Sequence, residues 1–198
     1  MTTQASTKVY RSLKPAAQHI VADVEPGALL AVVPDPIVCF AGADFLQSQV
    51  YDLRGDASLL AVDSLTSGRH QSGERWAFSR YESRIAVNLE GRPILRDACV
   101  LEDGLDTVYT RMGRFDMLAT VVMAGPLFRD ATTHILDAVG GTPVLPRQDQ
   151  IVSASPISGV GVLLRVASVS VEHGTHTLRR HLGFLSQLLG DDPWSRKW

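Results

Sequence analysis

Short apolar runs recur along the chain and predict a mainly β fold. They lie at residues 28–33, 37–40, 58–65, 118–123 and 160–171, and a further strand is predicted at residues 94–101, at hairpin distance after Gly91. Between Trp76 and Leu89, apolar and polar residues alternate instead, which is typical of a strand with one buried face. The segment Pro34-Asp35-Pro36 separates two of the runs and predicts a turn, because proline has no amide proton to donate to a strand ladder.

Two segments follow a helical period. Asp130 is a candidate N-cap for a short helix that ends at Gly140. Leucines spaced four, three and four residues apart predict a longer helix from about Thr175 to Leu189, with Gly190 as its C-terminal stop. Strands and helices do not alternate regularly, so the pattern indicates a β-rich domain with about two α-helices.

The charge balance and the lengths of the apolar runs restrict the class of protein. The chain has 198 residues, 19 basic and 21 acidic side chains, and a net charge of −2. We therefore expect one domain without a nucleic-acid partner, whose phosphates would require a basic surface. No apolar run approaches the roughly 20 residues of a membrane-spanning helix, and the first residues do not resemble a secretory signal. These features predict a cytoplasmic protein with no membrane partner.

Two cysteines, Cys39 and Cys99, are too few for a disulfide framework. Neither has a cysteine or histidine at the spacing of a zinc site. We expect both to be buried thiols.

The residues that bear chemistry concentrate between Asp63 and Phe78, where His70 and Glu74 accompany two arginines and two glycines. A polar loop that also carries Trp76 has the composition of an interface anchor. It can equally be an active site, with Glu74 as general base and His70 as proton carrier, or a turn held by internal arginine–carboxylate pairs. The common signatures of nucleotide-binding loops, serine hydrolases and zinc proteases are absent from the sequence.

The same stretch closely resembles the central signature of the urease accessory protein family UreD, called UreH in some organisms. The matching strings are Leu65-Thr66-Ser67-Gly68-Arg69 and Gly73-Glu74-Arg75-Trp76-Ala77-Phe78. An N-terminal segment that includes Lys8, Tyr10 and Arg11 is similar to another family segment, and further matches follow at Pro34-Asp35-Pro36, Phe40 and Gly125-Pro126. On these ordered matches the chain is identified as a member of that family.

The resemblance implies a protein that assists urease maturation and has no turnover of its own. Members of the family are scaffolds and metallochaperones for insertion of the nickel metallocentre, and they act with UreF and the GTPase UreG on apo-urease. A homodimer within that complex is a further expectation. Nickel is implied as a transient cargo, with no tightly bound cofactor. The implied fold is a β-helix-like arrangement of stacked sheets.

Nickel is thought in this family to pass through an internal, partly acidic channel, which implies carboxylate ligands. The candidates in this chain are Asp63, Glu74, Asp97 and Asp116. Each of them can instead be one half of an ion pair with Arg69, Arg75, Arg96 or Arg114.

Two other functions stay open on the residues alone. One is a small metal-dependent hydrolase that uses Glu74, His70 and Asp63, and the other is a structural interaction module that never binds metal. Family members normally carry a substantial N-terminal block before the segment that begins at Thr2. We therefore expect residues 1–198 to be one UreD-like domain, shortened at its N-terminus, with unpaired strand edges that favour aggregation or a partner.

Overall fold

The computed structural model describes residues 1–69 and 72–195, which form two β-sheets with helices packed on one of them. The strands in these residues are β1 (Lys8–Val9), β2 (Ala16–Val24), β3 (Leu29–Val32), β4 (Ile37–Cys39), β5 (Asp44–Leu53), β6 (Ser58–Thr66), β7 (Arg80–Leu89), β8 (Arg92–Glu102), β9 (Met117–Ala124), β10 (Gln150–Ile157) and β11 (Gly161–Ser168). The helices are α1 (Val108–Met112), α2 (Arg129–Gly140), α3 (Val171–His181) and α4 (Leu185–Leu189). No helix of the described residues is long and apolar enough to cross a membrane. The prediction of a mainly β fold is confirmed.

The strands wind between the two sheets. Sheet I has the order β1-β4-β6-β9-β11-β10, with β3 also paired to β6, and sheet II has the order β2-β5-β7-β8. From β2 to β7 the chain passes back and forth between the sheets, with β3 and β4 both in sheet I, and the strands that stack within each sheet pair in parallel. This winding is the β-helix-like arrangement that the resemblance implies. The later strands β8 to β11 add antiparallel pairs.

Three apolar clusters pack on the two faces of sheet I, and the third, around Trp76 and Phe78, lies at one end of the sandwich. On one face, Leu59 and Val122 pack with Val87 of sheet II. On the other face, Leu60 and Leu164 belong to the core that also contains residues of α2, α3 and α4. Strand β6 is buried along its whole length, because both of its faces are covered, and this explains its continuous apolar run.

The predicted C-terminal helix is divided in two. The Ser170 hydroxyl accepts a hydrogen bond from the His173 amide at 3.1 Å and caps α3, so this helix begins before Thr175. It ends at His181, and α4 follows a turn at residues 182–184. Leu178, Leu182 and Leu185 are buried. The leucine spacing therefore located core contacts correctly, whereas the prediction of one continuous helix was wrong.

The apolar pattern did not predict five of the elements, which are β1, β2, β5, β10 and α1. In β5 every second residue is buried, but two of these buried residues are Gln47 and Gln49, so no apolar alternation marks the strand. The short helix expected from Asp130 is α2. It begins at Arg129, and Asp130 lies in its first turn rather than at the N-cap position.

Gly125, between β9 and α2, occupies a position that tolerates no side chain. Its φ is +107°, and a Cβ there would lie 2.4 Å from the Ala57 carbonyl oxygen. We expect Gly125→Ala to lower the free energy of unfolding by about 1–3 kcal/mol, through backbone strain and overpacking. Urea denaturation measures this loss. Gly104→Ala is the matched control, because nothing lies within 4 Å of its Cβ; equal losses for the two variants would contradict the steric argument.

Candidate functional site

The carboxylate of Asp63 is buried between the two sheets. Asp63 lies on β6 between Ala61 and Leu65, both of which face sheet II, and it is 8 % exposed. The Ser83 hydroxyl donates a hydrogen bond of 2.5 Å to its Oδ2, and the Tyr81 hydroxyl lies 3.3 Å from the same atom. Both donors belong to β7 of sheet II, so the carboxylate is held from across the sandwich.

The surroundings of Asp63 are polar but carry no compensating cation among the contacts that set its pKa. Burial raises the pKa of Asp63, because the low dielectric between the sheets penalises the charged carboxylate. Hydrogen bonds from Ser83, Gln47 and Tyr81 oppose this rise, and the negative charge of Asp97 adds to it. Neutral hydrogen-bond donors therefore solvate the carboxylate, but they do not fully offset the cost of burying its charge.

Asp63 lines two cavities. One of about 330 Å³ lies towards β8, β10 and β11, and we call it the lateral cavity. The other, of about 30 Å³, is lined by Gln18, Gln47 and Gln49 of β2 and β5, and we call it the glutamine cavity. Even the smaller volume exceeds the roughly 10–15 Å³ that one water molecule needs. Asp63 therefore lies between two cavities that both have polar side chains in their walls.

An ion pair joins the two sheets at the lateral cavity. Asp97 of β8 pairs with Arg165 of β11, and Cys99 of β8 lines the same cavity. Burial raises the pKa of the Cys99 thiol, the charges of Asp63 and Asp97 raise it further, and Arg165 lowers it. In the part of the chain that the structure describes, no three His, Cys, Asp or Glu side chains converge as a metal-binding group.

Sequence reasoning missed Arg165 and the exposure of Cys99. Cys39 is buried as predicted, and burial raises its pKa to about 12. Cys99 is only half-buried, so that prediction was wrong for this thiol. A signal for Arg165 was available, because it is the one charged residue within the apolar strand β11.

The other two acidic candidates lie elsewhere, since neither lines the lateral or the glutamine cavity. Glu74 pairs with Arg69 and accepts a hydrogen bond of 3.2 Å from the Ala41 amide. The bond from Arg69 lowers the pKa of Glu74. Asp116 pairs with Arg75. Both residues therefore form internal arginine–carboxylate pairs, which was one of the alternatives left open by the sequence.

The hydrolase alternative needs Asp63, Glu74 and His70 together. Asp63 is buried between the sheets, whereas Glu74 belongs to an ion pair with the half-exposed Arg69 and lines neither cavity of Asp63. His70 lies outside the described residues. The structure thus brings Asp63 together with Asp97 and separates it from Glu74.

The stretch around Trp76 is a compact loop against the ends of β4 and β6. The Trp76 amide donates 2.6 Å to the Ser67 carbonyl, and the Ser67 amide donates 2.8 Å to the Asp116 carbonyl. Gly68 has a φ of +106°, and a Cβ there would lie 3.0 Å from the Cys39 carbonyl oxygen. Glycine at this position therefore permits a close backbone approach.

Comparison with known families identifies the chain. The family model described as UreD urease accessory protein matches residues 1–198. The chain belongs to the UreD family.

Relatives of this UreD family member occur in bacteria and plants. The chain is 48 % identical over 198 residues to the urease accessory protein UreD of Sorangium cellulosum (strain So ce56), covering 100 % of this chain and 63 % of that protein. It is 44 % identical over 198 residues to the urease accessory protein UreD of Anaeromyxobacter sp. (strain Fw109-5), covering 99 % and 66 %. Over 220 residues it is 35 % identical to the urease accessory protein D of Oryza sativa subsp. indica, covering 98 % and 72 %. The chain therefore spans less than two thirds of the length of the first two relatives.

The UreD signature residues divide into a buried set and an exposed set. Thr66, Ser67, Trp76 and Phe78 are buried. Tyr10 is 61 % exposed and packs edge-on against Phe40, with 4.7 Å between the ring centroids. The Arg69 guanidinium lies 4.6 Å from the centroid of the same Phe40 ring. We call Tyr10, Phe40, Arg69 and Glu74 the signature surface.

The remaining signature residues support these two sets. Lys8 and Arg11 are exposed, and the Arg11 side chain passes 3.0 Å from where a Cβ on Gly42 would lie. Gly73 turns the loop with a φ of +75°, and Arg75 donates a hydrogen bond of 3.0 Å to the Phe115 carbonyl. Segments that are distant in sequence thus meet at one end of the sandwich.

Proposed function

We propose that this chain is a scaffold and metallochaperone for urease maturation, which assists insertion of the nickel metallocentre. In this proposal it acts in the cytoplasm with UreF and the GTPase UreG on apo-urease, and a homodimer can form within that complex. Nickel is its transient cargo, and it performs no turnover of its own. The observation that carries the proposal is the buried carboxylate of Asp63 between two cavities, in a chain that belongs to the UreD family.

The chemistry of the Asp63 region suits a cation in transit. A carboxylate solvated by neutral hydroxyl and amide groups offers oxygen ligands to a divalent cation without a competing positive charge. Ser83 and Tyr81 can rotate their hydroxyl groups so that oxygen lone pairs, rather than protons, face the cation. Asp97 supplies a second carboxylate on the lateral cavity. We infer a route through the lateral cavity to Asp63.

The signature surface suits docking. Aromatic and arginine side chains are enriched at the energetic centres of protein interfaces. Tyr10 and Arg69 flank one aromatic ring, Phe40, and Glu74 fixes the position of Arg69. We propose this surface as the contact for UreF or urease, separate from the metal route.

A second candidate function is an interaction module that never binds metal. The ion pairs of Glu74 and Asp116 favour it, because they give these carboxylates a structural role. The two candidates differ at Asp63, whose charge is required for function only in the metallochaperone.

Complementation tests the proposed function. A strain that lacks its own UreD gene receives this chain, and urease is purified for nickel analysis by mass spectrometry. We expect restored urease nickel and co-purification of the chain with UreF. Apo-urease in the complemented strain would overturn the metallochaperone, and co-purification with UreF without any effect on nickel would support the interaction module instead.

Glu74→Ala is expected to reduce urease activation more than it reduces the yield of soluble protein. The substitution releases Arg69 from its ion pair and disturbs the signature surface, while the apolar core beneath keeps its contacts. Glu102→Ala is the matched control, because it breaks the exposed pair with Arg80 elsewhere on the molecule. Urease activity and soluble yield are measured for both variants. Parallel losses of activity and yield in Glu74→Ala would mean that the residue is only structural.

A further inference from the structure

Exposure falls stepwise along three charged residues of the lateral cavity. Measured over the whole residue, Arg165 is exposed, Asp97 is partly buried, and Asp63 is buried at 8 % exposure. All three line this cavity. A cation therefore stands at the surface, a paired carboxylate lies behind it, and a second carboxylate is buried further in.

The Arg165–Asp97 pair spans the side of the sandwich where the two sheets differ in width. In the described residues β8 is the last strand of sheet II, whereas sheet I continues to β10 beyond β11. Arg165 reaches from β11 to Asp97 on β8 across this opening. Ile151 and Ser153 of β10 form the part of the cavity wall that sheet II leaves uncovered.

We propose that Arg165 is the gate of the lateral cavity, and that a divalent cation enters by displacing Arg165 from the Asp97 carboxylate. The guanidinium and the cation compete for the same oxygen ligands, so the cavity admits a cation only when the ion pair opens. A divalent cation competes better than a monovalent one, because Coulomb attraction scales with charge. The inference rests on the proposed function for the identity of the cation, Ni²⁺.

The ion pair is suited to opening. A pair with one half-exposed partner is weak and is screened by salt, so it does not lock the sheets together. Its rupture leaves the apolar core around Leu59 and Val122 in place, because neither of these residues lines the lateral cavity. Opening the gate therefore does not require unfolding.

Cys99 provides a reporter of the gate that does not depend on urease. Its thiol lines the lateral cavity, so its alkylation by iodoacetamide measures access to that cavity. Peptide mass spectrometry separates it from Cys39, which is buried in another cluster and serves as an internal control. We expect Arg165→Gln to alkylate at Cys99 about three- to tenfold faster than the wild type, which corresponds to the loss of a weak ion pair. Wild-type labelling should also accelerate with NaCl, and labelling of Arg165→Gln should not.

Asp97→Asn separates gating from a simple change in thiol reactivity. Arg165 lowers the pKa of Cys99 and Asp97 raises it, so the two substitutions shift the thiolate fraction in opposite directions. If access controls the rate, both variants label faster than the wild type. If only the thiol pKa controls it, Arg165→Gln labels more slowly and Asp97→Asn labels faster, and the gate is overturned.

Ni²⁺ tests the competition directly. We expect Ni²⁺ to slow alkylation of Cys99 in the wild type, and to do so at a roughly three- to tenfold lower concentration in Arg165→Gln, where no guanidinium competes. Protection at the same concentration in both proteins would overturn the gate and leave the metal route intact. Faster labelling of both variants with no protection by Ni²⁺ in any protein would overturn cation displacement and the proposed metal route together.

Two variants control for indirect effects. Arg165→Lys keeps a positive charge and should label closer to the wild type than Arg165→Gln. Arg54→Gln removes an arginine from another exposed pair, with Asp23, and lines neither cavity of Asp63. Faster labelling of Cys99 in Arg54→Gln would show a general loosening of the fold and would overturn the assignment to Arg165.

Discussion

Replacing Trp76 with alanine is expected to lower the free energy of unfolding by about 3–5 kcal/mol, the usual loss for a large aromatic side chain in a core. Trp76 is 3 % exposed and packs edge-on against Phe78, with 6.0 Å between the ring centroids. Its indole Nε1 donates a hydrogen bond of 2.8 Å to the Phe115 carbonyl. The substitution removes the apolar contacts and this hydrogen bond together, and urea denaturation measures the sum.

Two variants make the Trp76 prediction specific. Trp76→Phe keeps most of the apolar contact, and the Phe115 carbonyl still accepts a hydrogen bond from Arg75; we therefore expect a loss of only about 1 kcal/mol from the missing indole donor. Leu105→Ala, at a fully exposed leucine, should change stability by less than about 0.5 kcal/mol. A loss in Trp76→Ala as small as that of Leu105→Ala would show that the indole does not support the fold.

Asp63→Asn is expected to stabilise the fold at neutral pH while it abolishes urease activation. Asparagine keeps the size of the side chain and an oxygen acceptor for the Ser83 hydroxyl, but it removes the buried charge that the fold penalises. The same charge is the ligand for the cation in the proposed function. Urease activation should therefore fall close to the level of a strain without the protein.

The raised pKa of Asp63 determines how its contribution to the stability of the fold changes with pH. Because the pKa of Asp63 is raised in the folded protein above its ordinary value of 3.8, the folded state binds this proton more tightly than the unfolded state. The contribution of Asp63 to stability is complete below pH 3.8 and is lost as the pH rises through the folded-state pKa. Asp63→Asn and the wild type should therefore have similar stability in acid, and the variant should become the more stable one as the pH rises.

Urea midpoints across this pH range, together with urease nickel content, decide the Asp63 prediction. A variant that is stable but inactive separates function from folding and supports the metal route. Full urease activation by Asp63→Asn would show that this carboxylate is not needed for nickel transfer. A wild type that gains stability relative to the variant as the pH rises would show that the carboxylate is stabilised in its charged form.

The candidate site was only partly predictable, and the reason is visible at individual residues. Asp63 and Asp97 were both candidates from sequence, yet nothing local distinguished them from Glu74 and Asp116. Asp63 meets Ser83 of the facing sheet and Asp116 meets Arg75, 41 residues earlier, whereas Glu74 meets Arg69 five residues earlier in its own loop. Sequence spacing indicates only the contact of Glu74 and carries no information about the other two.

The sequence by itself determined the class of fold and the family. Strands β6, β7, β9 and β11 are readable because burial of one or both faces leaves a local apolar pattern, and the signature strings are contiguous. The tertiary structure alone decided which polar residues lie inside. Gln47, Gln49 and Asp63 are buried only because two sheets stack their polar positions opposite one another, and Arg165 reaches Asp97 from a strand 68 residues away in sequence. Such contacts depend on the winding of the whole chain, so no local pattern of residues specifies them.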